Sequence, residues 1–214
     1  MAFHVICIYS AAMPRRVLNH FKKHDPTLYA AIHAFNGELR DGPEIKKDFF
    51  ASLCRTIVGQ QLSGKAADAI WKKFCALFPH NKPTAKHILA FSDMTLRESG
   101  LSFAKIRALR DLSERVSTRA LKLSTLRSVP HTHAREKLQE VRGIGPWSSE
   151  MFLMFALGHE DVFSTGDLGL QKGIQKIYGL DALPDTETIL RLSECWSPYR
   201  TYAACVIWSI LDNR

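Results

Sequence analysis

Apolar residues recur along this chain at helical spacing from its first third to its end. Phe49, Phe50, Leu53, Ile57 and Val58 share one face of a helix that closes at Gly59. Ser63 caps a second helix with Ala67, Ile70, Phe74 and Leu77 in register, and Ile106, Leu109, Leu112 and Val116 mark another. Ser92 or Asp93 caps a short helix between them. Residues 134–141 read as helix, and 148–157 are apolar on most sides, the signature of a buried helix closed by Gly158. Further helices fall at 168–178, from Thr186 to a break before Pro198, and over 199–211. No stretch sustains the alternation of a strand, and 4–9 is the single candidate. The pattern predicts an all-α fold.

The most informative punctuation lies in LQEVRGIGPW, residues 138–147. A helix stops at Gly143, Ile144 stands between two glycines, and Pro146 opens the next helix. Glycine permits positive φ and close backbone approach. Such a turn presents N–H groups at a helix N-terminus, where an anion binds without a cationic side chain. Ile144 anchors the turn in the core. An ordinary helix–turn–helix with a glycine C-cap would carry the same glycines. Downstream, VFSTGDLGL sets Asp167 at the head of the 168–178 helix. There it serves as an N-cap, and the helix dipole stabilises its negative charge. A carboxylate so placed also suits a base or a stabiliser of developing positive charge.

These segments resemble the helix-hairpin-helix Gly/Pro/Asp DNA glycosylases. IVGQQLSGKAA (57–67), GPWSSEM (145–151) and CWSPYRTYAACVIW (195–208) are similar to one branch, the 3-methyladenine DNA glycosylase II proteins. The resemblance runs from about Phe49 to the last residues, and more loosely from Pro14. It implies two helical lobes with a helix-hairpin-helix and a cleft between them. One lobe is 49–147, ending in the hairpin. The other is 148–214, carrying the catalytic aspartate and packed with an N-terminal segment, 1–48. Within that segment the family-like fold begins near Met13 or Pro14.

The resemblance also assigns roles. Arg142, Gly143, Ile144 and Gly145 grip the DNA backbone, with a structural monovalent cation at the hairpin carbonyls. Asp167 is catalytic. Trp147, Met151 and Trp208 line the base pocket, although tryptophans at helical spacing also serve as core. Gln61 or Leu62 is the wedge that fills the stack, the alternative being a plain interhelical turn in which Gln60 satisfies backbone groups. Relatives that also cleave the strand carry a lysine where this chain has Trp147, so a monofunctional enzyme without lyase activity is expected. Proline often stands close before the aspartate in relatives, and here Ser164, Thr165 and Gly166 fill that stretch.

Composition narrows the picture further. The formal net charge of +8 favours a polyanionic partner, and the resemblance implies that this is double-stranded damaged DNA bound by a monomer. Cys7, Cys54, Cys75, Cys195 and Cys205 are odd in number, widely spaced and free of C-x-x-C, as in reduced intracellular proteins. They do not match the four-cysteine iron–sulfur cluster of the endonuclease III branch. The nine histidines show no H-x-x-x-H pair with carboxylate support, and the resemblance implies no required cofactor. No apolar run reaches membrane-spanning length. The expected setting is the nucleoid of a bacterium or the nucleus of a eukaryote. The expected activity is release of alkylated purines, such as 3-methyladenine and 7-methylguanine, after base flipping, leaving an abasic site. The alternatives are another lesion (uracil, hypoxanthine or mismatched adenine) on the same fold, or a non-catalytic DNA-binding module.

Overall fold

The computed structural model describes residues 13–40 and 42–212. The candidate strand at 4–9 lies outside them. The described residues form twelve α-helices. The first nine are α1 (Arg15–His24), α2 (Pro26–Ala34), α3 (Phe49–Gly59), α4 (Gly64–Cys75), α5 (Ala85–Ala90), α6 (Asp93–Glu98), α7 (Phe103–Ser117), α8 (His131–Gln139) and α9 (Pro146–Phe155). They are followed by α10 (Leu168–Tyr178), α11 (Thr186–Glu194) and α12 (Arg200–Asp212). Extended pairing among the described residues is limited to one isolated bridge, Ile45 with Leu157. No helix among them is long and apolar enough to cross a membrane.

The chain divides into two compact units, one continuous over Ile45–Gly158 and one assembled from 13–44 and His159–Arg214. The sequence reading drew a boundary at 147, whereas α9 belongs here to the first unit.

In the first unit, α3, α5 and α6 pack on α7. Leu53, Ile57, Ile88, Leu96, Ile106 and Leu109 are fully buried there. The helices start where capping side chains permit. Asp48, Thr84, Ser92 and Ser102 each accept a backbone N–H three residues on. Ser63 precedes α4 without a capping bond. Arg110 on α7 bonds Asp93 and the carbonyls of Ile88 and Phe91, fastening α5 and α6 together. Gly158 does not cap α9. The helix ends at Phe155, and the chain turns out through Ala156 to make the Ile45 bridge.

In the second unit, α12 is buried from Thr201 to Ile210. It packs closely on α10, where a Cβ at Gly173 would stand 2.3 Å from Ile207 Cγ2. Asp25 ties the N-terminal helices to the rest of this unit. Its Oδ1 accepts the Leu28 N–H at 2.9 Å, capping α2. Its Oδ2 accepts the Trp196 indole N–H at 2.6 Å and the Tyr178 hydroxyl. Burial, reinforced by the Asp25 carboxylate, pushes the Tyr178 phenol far above its ordinary range. Burial and the same carboxylate raise the Cys195 thiol to about 11, so this cysteine is an inert thiol at neutral pH.

Candidate functional site

The hairpin between α8 and α9 has the geometry its glycines require. Gly143 has φ of +77°, and Ile144 is buried at 4% exposure, anchoring the turn. Its amides are unequally available. The Arg142 N–H donates to Asp111 Oδ2 at 2.8 Å, and the Ile144 N–H donates to the Val141 carbonyl at 3.0 Å. Gly143 and Gly145 are exposed, and their N–H groups donate to no other described residue. A Cβ at Gly145 would meet nothing within 4 Å, so nothing in the chain itself demands glycine there.

Three consecutive polar residues at the start of α9 hold this hairpin, and all three are buried. Ser148 Oγ accepts from Gln60 Nε2 at 3.0 Å, Ser149 Oγ from Gln139 Nε2 at 3.3 Å, and Glu150 pairs with Arg135 at 3.4 Å. Two of those partners sit on α8, so the interhelical angle is set by polar bonds as well as by Leu138 and Ile144 in the core. Gln60 also donates to the Gly143 carbonyl at 2.8 Å. In the turn between α3 and α4, Gln61 is exposed with φ of +56°, and Leu62 is half-buried.

In the second unit, Asp167 caps α10. Its Oδ1 accepts the Leu170 N–H at 2.8 Å and the Trp208 indole N–H at 3.1 Å. The residue is partly exposed. The preceding loop is pinned, because Asp167 N–H donates to the Ser164 carbonyl at 3.1 Å and Gln171 Nε2 to the Thr165 carbonyl at 3.0 Å. Serine and threonine in place of proline therefore leave a closed turn. Gly166 is exposed, and a Cβ there would meet nothing within 4 Å. Gly169 is crowded, with an added Cβ 3.0 Å from Asp167 Oδ1 and 3.2 Å from the Trp208 ring.

The three aromatic-pocket candidates differ in surroundings. Trp147 is half-exposed, while Met151 and Trp208 are 9% and 8% exposed and mostly packed. The Arg40 guanidinium lies 5.9 Å from the Trp208 ring centroid and pairs with Asp212. Arg200 bonds Asp161 at 3.1 Å and the Ser193 carbonyl at 3.0 Å, which is a fastening role. Reading the sequence assigned Gln60 to backbone groups without naming the hairpin as its partner, and it missed the α9 polar triplet and Asp25. An Asp-Pro pair at residues 25–26 does signal a helix start, but partners so distant leave no local trace. Among the described residues no group of histidine, cysteine, aspartate or glutamate could hold a metal ion.

This combination of an all-helical fold, a glycine hairpin and a capping aspartate defines a class of DNA-repair protein. The family described as HhH-GPD superfamily base excision DNA repair protein matches residues 54–198, and the chain belongs to it. It is 30% identical over 165 residues to DNA-3-methyladenine glycosylase 1 of Schizosaccharomyces pombe, covering 76% of this chain and 72% of that protein. The crystal structure of a DNA-3-methyladenine glycosidase from Bacillus halodurans is similar at 33% identity and a TM-score of 0.84, covering 96% of this chain and 92% of that one. A structure of S. pombe 3-methyladenine DNA glycosylase in complex with abasic DNA matches at 27% identity and a TM-score of 0.75, covering 91% of this chain and 95% of that one.

Proposed function

We propose that this protein is a monofunctional DNA glycosylase that hydrolyses the N-glycosidic bond of alkylated purines in double-stranded DNA, acting as a monomer. The observation that carries the reading is Asp167, a partly exposed residue whose carboxylate is held at one oxygen by a helix N-terminus and an indole N–H. Departure of the base leaves an oxocarbenium-like sugar, which a fixed carboxylate stabilises while it orients or deprotonates the attacking water. The Trp208 N–H and the α10 cap hold the carboxylate in place, so little reorganisation is needed as charge develops. N-alkylated purines are cationic or electron-poor and leave readily, so one carboxylate suffices.

The backbone amides of Gly143 and Gly145 would receive phosphate oxygens, and the openness of both Gly145 and Gly166 allows close approach of DNA. A monovalent cation fits the hairpin carbonyls by donor chemistry. Those of Val141 and Gly143 each accept one hydrogen bond, from Ile144 N–H and Gln60 Nε2, and each keeps a second lone pair. Such a cation would add positive charge beside the phosphate. Gln61 and Leu62 form the wedge. Trp147, the least buried of the three, would stack on a flipped base, and Met151 and Trp208, both mostly packed, would be the rest of the pocket lining.

The experiment is base release from methylated duplex DNA by wild type and Asp167→Asn. Methylpurine release by wild type alone supports the assignment. Absence of release by either, with uracil or hypoxanthine released instead, would replace the substrate. Borohydride trapping of a protein–DNA adduct in high yield would defeat the monofunctional reading, since Trp147 cannot form a Schiff base.

A further inference from the structure

The α3–α4 turn is anchored from three directions. Lys105 Nζ on α7 donates to the Val58 carbonyl at 2.8 Å. The Arg55 guanidinium donates to the Ala67 carbonyl at 3.2 Å and pairs with Asp68, drawing α3 and α4 together. Gln60 reaches 83 residues along the chain, spending its carboxamide N–H groups on the Gly143 carbonyl and Ser148 Oγ. Between these anchors Gln61 holds φ of +56°, a left-handed conformation uncommon outside glycine. Such a conformation persists where the surroundings over-determine it.

We propose that Gln60 is a positioning residue that locks the Gln61–Leu62 turn to the glycine hairpin, so that the element entering the base stack and the element gripping the backbone act on DNA as one body. The inference rests on the reading above of 61–62 as the wedge. Extruding a nucleotide requires the stack to be entered at a fixed offset from the held phosphates. A wedge free to rock against the hairpin loses that preorganisation. Both Gln60 bonds are donations to oxygen. Alanine removes them, and Gln60→Glu sets a carboxylate against a carbonyl and a hydroxyl. Ser148→Ala removes one bond and leaves the other.

The test uses a duplex carrying 2-aminopurine beside a tetrahydrofuran abasic analogue, whose fluorescence reports entry into the stack without any chemistry. Wild type should brighten it. Gln60→Ala and Gln60→Glu should bind with similar affinity and lose most of the brightening, with Ser148→Ala intermediate. In single turnover, Gln60→Ala should release methylpurine about tenfold more slowly from a paired lesion. A bulged lesion, already unstacked, should restore the rate to near the wild-type value. Full brightening by Gln60→Ala, or equal slowing on paired and bulged lesions, would overturn the proposal and leave Gln60 a stability residue. Absence of brightening by wild type would overturn it together with the wedge assignment. Brightening by wild type that depends on Gln60, without methylpurine release, would defeat the alkylpurine reading while upholding this one.

Discussion

Asp25 and Asp167 both cap a helix in the second unit, and both accept a hydrogen bond from a tryptophan indole N–H. Their surroundings then diverge. Around Asp25 the bonds are spread over both oxygens, with Leu28 on one and Trp196 and Tyr178 on the other, and the residue is 6% exposed. Around Asp167 the cap and the indole converge on a single oxygen, the residue meets solvent, and an open glycine precedes it. The same local device thus gives a buried rivet in one place and a carboxylate on a partly exposed residue in the other. What separates the two in these contacts is burial, 6% exposure for Asp25 against a partly exposed Asp167.

That contrast can be broken by mutation. The largest effect is expected from Asp25→Ala, which removes a cap and strands a buried indole N–H and phenol. Stability should fall by about 3–5 kcal/mol, read from the denaturant midpoint, while excision per folded molecule persists. Should this variant not fold, Asp25→Asn, which can still cap α2, should show a smaller loss in the same direction. Asp167→Asn should do the reverse. Asparagine caps as well as aspartate, so the midpoint should barely move, while base release drops on the order of hundredfold or more. A variant of Asp167 that unfolds as readily as one of Asp25 would erase the distinction. Trp208→Phe keeps a ring and deletes the N–H on Asp167. Single-turnover release should slow by roughly tenfold or less, with DNA affinity little changed. The smallest effect belongs to Ser164, whose buried hydroxyl has no hydrogen-bond partner among the described residues. Ser164→Ala should raise stability by up to about 1 kcal/mol, and a loss would point to a function for that hydroxyl.

Helix periods, caps and glycine punctuation were legible because each is local. The α10 helix runs Leu168–Tyr178 between its Asp167 cap and left-handed Gly179, as the spacing predicts. The buried Ile144 and the positive φ of Gly143 follow from the GIG triplet by the same logic. Gly158 misled because a bridge to Ile45, far away in the chain, decides where the segment after α9 goes. The Ser148–Ser149–Glu150 triplet looks like a solvated edge on an apolar helix, yet its partners are Gln60, Gln139 and Arg135, and their convergence is a tertiary fact. The candidate site divides the same way. Asp167 and the hairpin glycines declare themselves by position, while the commitment of the Arg142 and Ile144 amides within the chain appears only in three dimensions.

The connectivity of the two units also sets an order of assembly. Residues 45–158 are contiguous, so the hairpin-bearing unit can complete its core before α10 has emerged from the ribosome. The unit holding Asp167 must wait. Asp25 meets Tyr178 across 153 residues and Trp196 across 171, and α12, which supplies Trp208, is the last of the described helices to be made. Closing such long loops is slow. A nascent chain would therefore complete the unit that carries the hairpin well before the unit that carries Asp167, while α1 and α2 wait for their partners.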